Sequence, residues 1–173
     1  MKLLCFHVAG QDFGLPIAAV KETLAERPLT RLFLVPSFVA GLINLRGEVV
    51  AVLDLAALLG LEAPRRDGDG DERGRRRDGR NIVILRASLL PGGRDARHAA
   101  DRAGAGLLVD QLDGVRDVAD GDVRPPPATL AAEPAAYLDG VAASGTPPRP
   151  LMLIAPERVL GSPHLTPYRR EIR

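Results

Sequence analysis

Leu34-Val-Pro-Ser-Phe-Val-Ala-Gly-Leu-Ile-Asn-Leu-Arg-Gly-Glu-Val-Val-Ala-Val-Leu-Asp-Leu55 is the stretch whose reading decides the fold. Two apolar runs flank Arg46-Gly47-Glu48. Ile43 and Leu45 bracket Asn44 in the first, and Val49 to Leu53 form a β-branched second run that ends at Asp54. This pattern predicts a β-hairpin, because Gly47 can take the positive φ a tight turn needs. The tip then carries one cation, Arg46, in an otherwise apolar stretch. No nucleophile, acid–base pair or metal-ligand spacing accompanies it. A rigid apolar hairpin presenting a fixed guanidinium suits the gripping of another protein.

Working outward, Leu3–Val8 and Phe13–Ile17 read as strands separated by a turn at 9–12. Residues 17–24 fit one helical turn leading into a strand, and 28–35 is extended and loop-like. Pro36–Val39 fits a short helix with proline near its start. Leu55–Gly60 fits another, with Asp54 as N-cap and Gly60 as stop. Asn81–Leu85, Ala105–Asp110, Gly114–Val118, Tyr137–Val141 and Leu151–Ala155 read as further strands. Pro156–Gly161 reads as a final short helix.

Roughly ten short strands with helices only at connections predict an all-β protein. A faint internal echo links 52–60 with 153–161: each is a strand end followed by a short helix closed by glycine.

Two polar stretches interrupt this pattern. Residues 64–80 hold seven Arg against five acids and no apolar side chain but Pro64. Such a segment buries too little surface to offset its ordering entropy, so 64–80 and the similar 91–104 are expected to be flexible loops. Asp67, Asp69 and Asp71 alternate with glycines as in a calcium loop, but no Glu closes the loop at the required spacing.

Composition excludes several functions. The net charge is +1 over 173 residues, which gives no nucleic-acid steering. Aromatics are 3% against 46% hydrophobic residues, so the core is aliphatic. The lone Cys5, in an apolar strand, reads as a buried inert thiol and excludes an intramolecular disulfide. His7, His98 and His164 are scattered, with no carboxylate or Cys at a useful offset. Ser37, Ser88, Ser144 and Ser162 lack a nucleophile-elbow context. No enzyme, cofactor or metal is expected. No stretch approaches the roughly 20 apolar residues of a membrane span, so the chain is expected to be cytoplasmic.

The chain resembles the CheW-like domain family of bacterial chemotaxis. The resemblance rests on Phe13-Gly-Leu-Pro-Ile17 with Val20-Lys-Glu22, on 35–55 with its Gly-Leu-Ile-Asn-Leu-Arg-Gly core, on Gly106–Asp110 with Asp113-Gly-Val115, on Pro125–Pro127 with Tyr137–Gly140, and on 151–160. Ala51 stands where the family usually has proline, and both polar insertions are long for a short coupling protein. The resemblance implies one domain over 1–173, built as two SH3-like five-stranded β-barrel lobes packed side by side. Lobe 1 would span about 14–80 and lobe 2 about 81–150, with 2–13 and 151–161 completing the barrels.

It further implies an adaptor that couples the cytoplasmic tips of chemoreceptors to a CheA-type histidine kinase. Such a protein is recruited to the inner face of the membrane through receptor arrays, without direct insertion and without nucleic acid. Matched by motif, Arg46, Asn44, Gly41, Val20, Glu22 and Gly114 are the candidate partner-binding residues. Several have a plainer reading: a solvated tip cation for Arg46, backbone service for Gly41 as for Gly47, core for Val20, surface for Glu22. The alternative function is a small-barrel nucleic-acid module using the Arg-rich loop 65–80.

Overall fold

The computed structural model describes residues 1–61, 79–89, 103–128, 132–144 and 149–162. Its strands are β1 (Lys2–Val8), β2 (Gln11–Pro16), β3 (Val20–Ala25), β4 (Val39–Leu45), β5 (Glu48–Asp54), β6 (Asn81–Arg86), β7 (Ala103–Val109), β8 (Gln111–Asp117), β9 (Leu138–Ser144) and β10 (Arg149–Ile154). Among the described residues the short α-helices are α1 (Leu55–Leu58), α2 (Ala132–Ala135) and α3 (Pro156–Gly161). One five-stranded sheet has the order β8-β1-β2-β10-β9 and the other β3-β6-β7-β5-β4. The molecule is thus mostly β, as its short alternating runs predict.

The two sheets share one plan. Each has an outer strand (β8 or β3), then a hairpin (β1–β2 or β6–β7), then a second hairpin (β10–β9 or β5–β4). The two hairpins meet through a parallel pair, β2 with β10 and β7 with β5. The internal echo continues into α1 and α3, which follow β5 and β10. It also extends to a pair of glycines. Gly41 and Gly140 lie beside isolated bridges, Thr30 to Leu42 and Arg124 to Val141. A Cβ on Gly41 would stand 2.6 Å from the Thr30 carbonyl oxygen, and one on Gly140 would stand 2.7 Å from that of Arg124. Both glycines let a crossing segment lie directly on an outer strand.

The sheets do not divide at residue 80. The strands β6 and β7, expected in the second lobe, pair with β3 and β5 in the first. The polar stretch before β6 is an insertion within one sheet, and a composition shift marks a loop without marking a boundary. The chain changes sheets at 16–20 and again at Val109–Gln111.

Three apolar clusters follow from the period-two alternation of these strands. Ile43, Leu45, Val50, Val52, Ile82, Ile84 and Leu108 pack together on one face of one sheet. Leu3, Cys5, Leu151 and Leu153 pack on one face of the other. The alternate residues Leu4, Phe6, Val8, Leu53, Val83, Leu85, Leu107 and Val109 meet in a shared cluster between the sheets. Strands buried on both faces need continuous apolar runs, which β1, β6 and β7 supply. Phe6 and Phe13 stack within the shared cluster, centroids 6.2 Å apart. Burial pushes the Cys5 thiol above its ordinary range, which keeps it protonated and unreactive.

Local capping follows the sequence at α1. Asp54 accepts a hydrogen bond from the Ala57 N–H at 3.1 Å, and Gly60 takes φ 62° just beyond the helix. Pro36–Val39 is a turn instead of the expected helix. The Val39 N–H donates to the Pro36 carbonyl at 2.9 Å, while the Phe38 carbonyl already accepts from the Asp54 N–H at 2.7 Å. Pairing with β5 commits the chain to a strand after one turn.

Neither sheet closes through a backbone ladder between its outer strands among the described residues. The expected SH3-like barrels are therefore found as two open five-stranded sheets. Among the described residues no helix is long and apolar enough to cross a membrane.

Candidate functional site

The β4–β5 hairpin closes at Leu45 and Glu48. Its two turn residues, Arg46 and Gly47, have φ of 53° and 87°. Two successive positive φ values define the primed turn that matches the right-handed twist of the strands. Asn44 supports it: its Oδ1 accepts a hydrogen bond from the Gly47 N–H at 2.8 Å. Glycine is the expected occupant at position 47, whereas an arginine in the left-handed region costs about 1–2 kcal/mol. The turn thus holds a guanidinium at a fixed exit angle, at some cost in backbone strain.

Arg46 is 78% exposed in its side chain, and its Nη2 donates to Glu22 Oε2 at 3.1 Å. Glu22 lies on β3, the outer strand at the far end of the same sheet. A register shift between Val20 and Glu22 makes Lys21 the extra residue of a bulge, and bulges re-aim neighbouring side chains. Lys21 and Glu22 consequently both reach the hairpin: Lys21 Nζ stands 3.7 Å from Glu48 Oε2. The same Glu48 oxygen accepts from the Ala103 N–H at 3.1 Å. Side chains thus bring the outer strands together where backbone pairing does not. Val49, directly opposite Asn44, is 54% exposed and adds an apolar surface beside the cation.

Of the six candidates, the structure brings Arg46, Asn44 and Glu22 together. Val20 is buried at 7% exposure in the shared core, so it supports the site from below. Gly41 is buried beneath Thr30, with φ 150°. Gly114 is on β8 of the other sheet, at φ 94°, where Asp113 is the extra residue opposite Cys5 and Phe6. Lys21, Glu48 and Val49 were not singled out from the sequence. A bulge leaves no local signal, and an exposed valine in a strand looks like any other.

His7 Nδ1 lies 2.6 Å from Asp12 Oδ1 as a cross-strand pair. His98, His164 and most of the Arg-rich stretch 65–80 fall outside the described residues. Among the described residues, no three His, Cys, Asp or Glu side chains cluster as metal ligands.

Comparison with known proteins agrees with this architecture. The CheW-like domain matches residues 2–164. A Chemotaxis protein CheW of Rhizobium meliloti is 30% identical over 126 residues, covering 73% of this chain and 66%, just under two thirds, of that protein. Protein FrzA of Myxococcus xanthus is 31% identical over 129 residues, covering 73% of this chain and 64% of that one. The crystal structure of scaffolding protein TtCheW from Thermoanaerobacter tengcongensis superposes with a TM-score of 0.66 at 24% identity, covering 89% of this chain and 83% of that chain. That likeness carries the fold. The two-sheet plan, the Asn44–Gly47 turn and the match over residues 2–164 together place this chain in the CheW-like domain family.

Proposed function

We propose that this chain is a CheW-type adaptor. It docks one face on a CheA-type histidine kinase and grips the cytoplasmic tip of a chemoreceptor with another, so that the kinase answers to the receptor. It works in the cytoplasm, drawn to the membrane by receptor arrays, and catalyses nothing itself. Each sheet behaves as an SH3-like barrel whose seam is held by side chains.

The observation that carries this reading is the Arg46 tip, exposed yet held by a strained turn and by Glu22. A guanidinium has five donors in a planar fork. One bond to Glu22 orients the fork and leaves further donors for a partner's carboxylate or carbonyl groups. A stiff two-sheet frame forfeits little entropy on association, and an array adds avidity where each contact is modest.

The test is co-sedimentation of the full chain with receptor cytoplasmic fragments and, separately, with the kinase's regulatory domain. Saturable binding to both supports the proposal. A folded protein that binds neither rejects it.

A further inference from the structure

We propose that this chain also touches an anionic membrane surface directly, through the apolar tip Leu32–Leu34 and the arginines that precede it. The tip lies in the loop between β3 and β4, where Leu32, Phe33 and Leu34 are 39%, 92% and 100% exposed. Leu34 also holds φ 61°, a backbone region that strains a leucine and leaves glycine at ease. These consecutive apolar side chains take no part in the fold's own cores. Backbone strain of this kind gathers where a molecule meets a ligand. Both feet of the loop are held. The Thr30 N–H donates to the Leu42 carbonyl at 2.9 Å, and the Leu42 N–H donates to the Thr30 carbonyl at 2.8 Å. At the other foot the Val39 N–H donates to the Pro36 carbonyl at 2.9 Å. The tip is thus offered on a fixed base, so little ordering entropy is lost when it is buried.

Shape and charge indicate what covers the tip. Side chains this exposed stand clear of their own surface, so a protein partner would need a preformed pocket for each. The interface of a fluid bilayer accepts a protruding apolar group without one, while anionic headgroups hold the basic residues around it. From Arg27 to Gly47 the chain has three arginines and no acid. Arg46 pairs with Glu22, and Arg27 and Arg31 are exposed on the approach to the tip. The acids that bound this stretch are already engaged, Glu26 with Arg80 at 2.7 Å and Glu48 with Lys21 at 3.7 Å. The field at the tip is therefore basic, which favours a negatively charged phospholipid surface over a neutral one. The contact is peripheral, because so short an apolar run falls far below the roughly 20 residues of a span. It goes beyond the adaptor reading, and neither receptor nor kinase takes part in it.

The chain contains no tryptophan, so Phe33→Trp places a single fluorescent reporter at the tip. Its emission is followed on titration with vesicles of phosphatidylcholine alone and of phosphatidylcholine with phosphatidylglycerol. Flotation of the full chain with the same vesicles gives the affinity. Anionic vesicles should shift the emission to the blue, and brominated acyl chains should quench it. Wild type should float with anionic vesicles and lose most of that binding at high salt, since the Debye length falls from about 10 Å at 0.1 M to about 3 Å at 1 M. Phe33→Ser with Leu34→Gly should weaken flotation about a hundredfold, as each buried apolar side chain is worth about tenfold. Its thermal midpoint should be undiminished, because glycine suits the backbone at position 34. Arg27→Gln with Arg31→Gln should weaken flotation about fivefold per charge. Wild type that does not float with anionic vesicles overturns the proposal. So does flotation that survives the tip variant, flotation as strong on neutral vesicles, or an emission that vesicles leave unchanged. A blue shift that grows with protein concentration and needs no lipid overturns it in favour of a protein partner.

Discussion

Arg46 and Glu22 stand at opposite ends of one sheet order, yet their side chains meet at 3.1 Å. The pair therefore reports the curl of the sheet and aims the cation outward at the same time. With Arg46 78% exposed, its Coulomb contribution to stability is small, about 0–1 kcal/mol. Its value is in orientation.

Arg46→Asn separates these roles. Asn-Gly is the favoured pair for this turn, and relief of the left-handed strain is worth about 1 kcal/mol, which offsets the lost ion pair. Denaturant unfolding should show stability equal to or above wild type, while receptor binding falls at least tenfold. A destabilised variant would show that the turn is not strained as described.

Gly41→Ala and Gly140→Ala should behave alike, although the two residues lie in different sheets. Each added Cβ runs into the carbonyl of a crossing segment, so each substitution should cost about 1–3 kcal/mol. The cost reads as a shift in denaturation midpoint with unchanged slope. A neutral Gly41→Ala would break the proposed equivalence of the two bridges.

The shared core draws on both sheets, so the lobes should unfold as one unit. Phe6→Ala, which removes a ring 1% exposed in that cluster, should cost about 3–5 kcal/mol. Amides of β1 and of β6 should lose hydrogen-exchange protection together. Loss of β1 protection alone would mean that the sheets are stable apart.

Cys5 supplies a pH test. Its thiol is raised above the ordinary value of 9.0, chiefly by burial, against a lowering by Arg116. The folded state holds this proton more tightly than the unfolded state. The linked stabilisation is present below pH 9 and is lost as pH rises through the folded value. A thiol reagent should label native protein at the rate of unfolding, and Cys5→Ala should flatten the alkaline fall in stability. Rapid native labelling would contradict the burial.

Much of this was legible in the sequence because its causes are local. Gly47 after Arg46 announces the turn, Asp54 before Leu55 announces the cap, and the apolar runs at 3–6, 82–85 and 105–109 announce strands. What escaped is non-local. The pairing of Glu22 with Arg46 spans 24 residues and depends on a bulge at Lys21. Assigning β6 and β7 to the first sheet depends on strand order, which the polar insertion before them disguised. The helix expected at Pro36–Val39 gave way to pairing with β5. Val20 and Gly41 stand in the motif near Arg46, but their side-chain positions lie inside the fold. Leu34 occupies a left-handed position that only coordinates reveal.

The proposed role of the Arg46 tip is to couple receptor to kinase without chemistry of its own. Autophosphorylation of a CheA-type kinase, measured on receptor-bearing membranes with and without this chain, tests it most directly. Wild-type chain should place the kinase under receptor control, and folded Arg46→Glu should fail to do so while still binding the kinase's regulatory domain. Full receptor control by folded Arg46→Glu, or receptor control in the complete absence of the chain, would contradict the account.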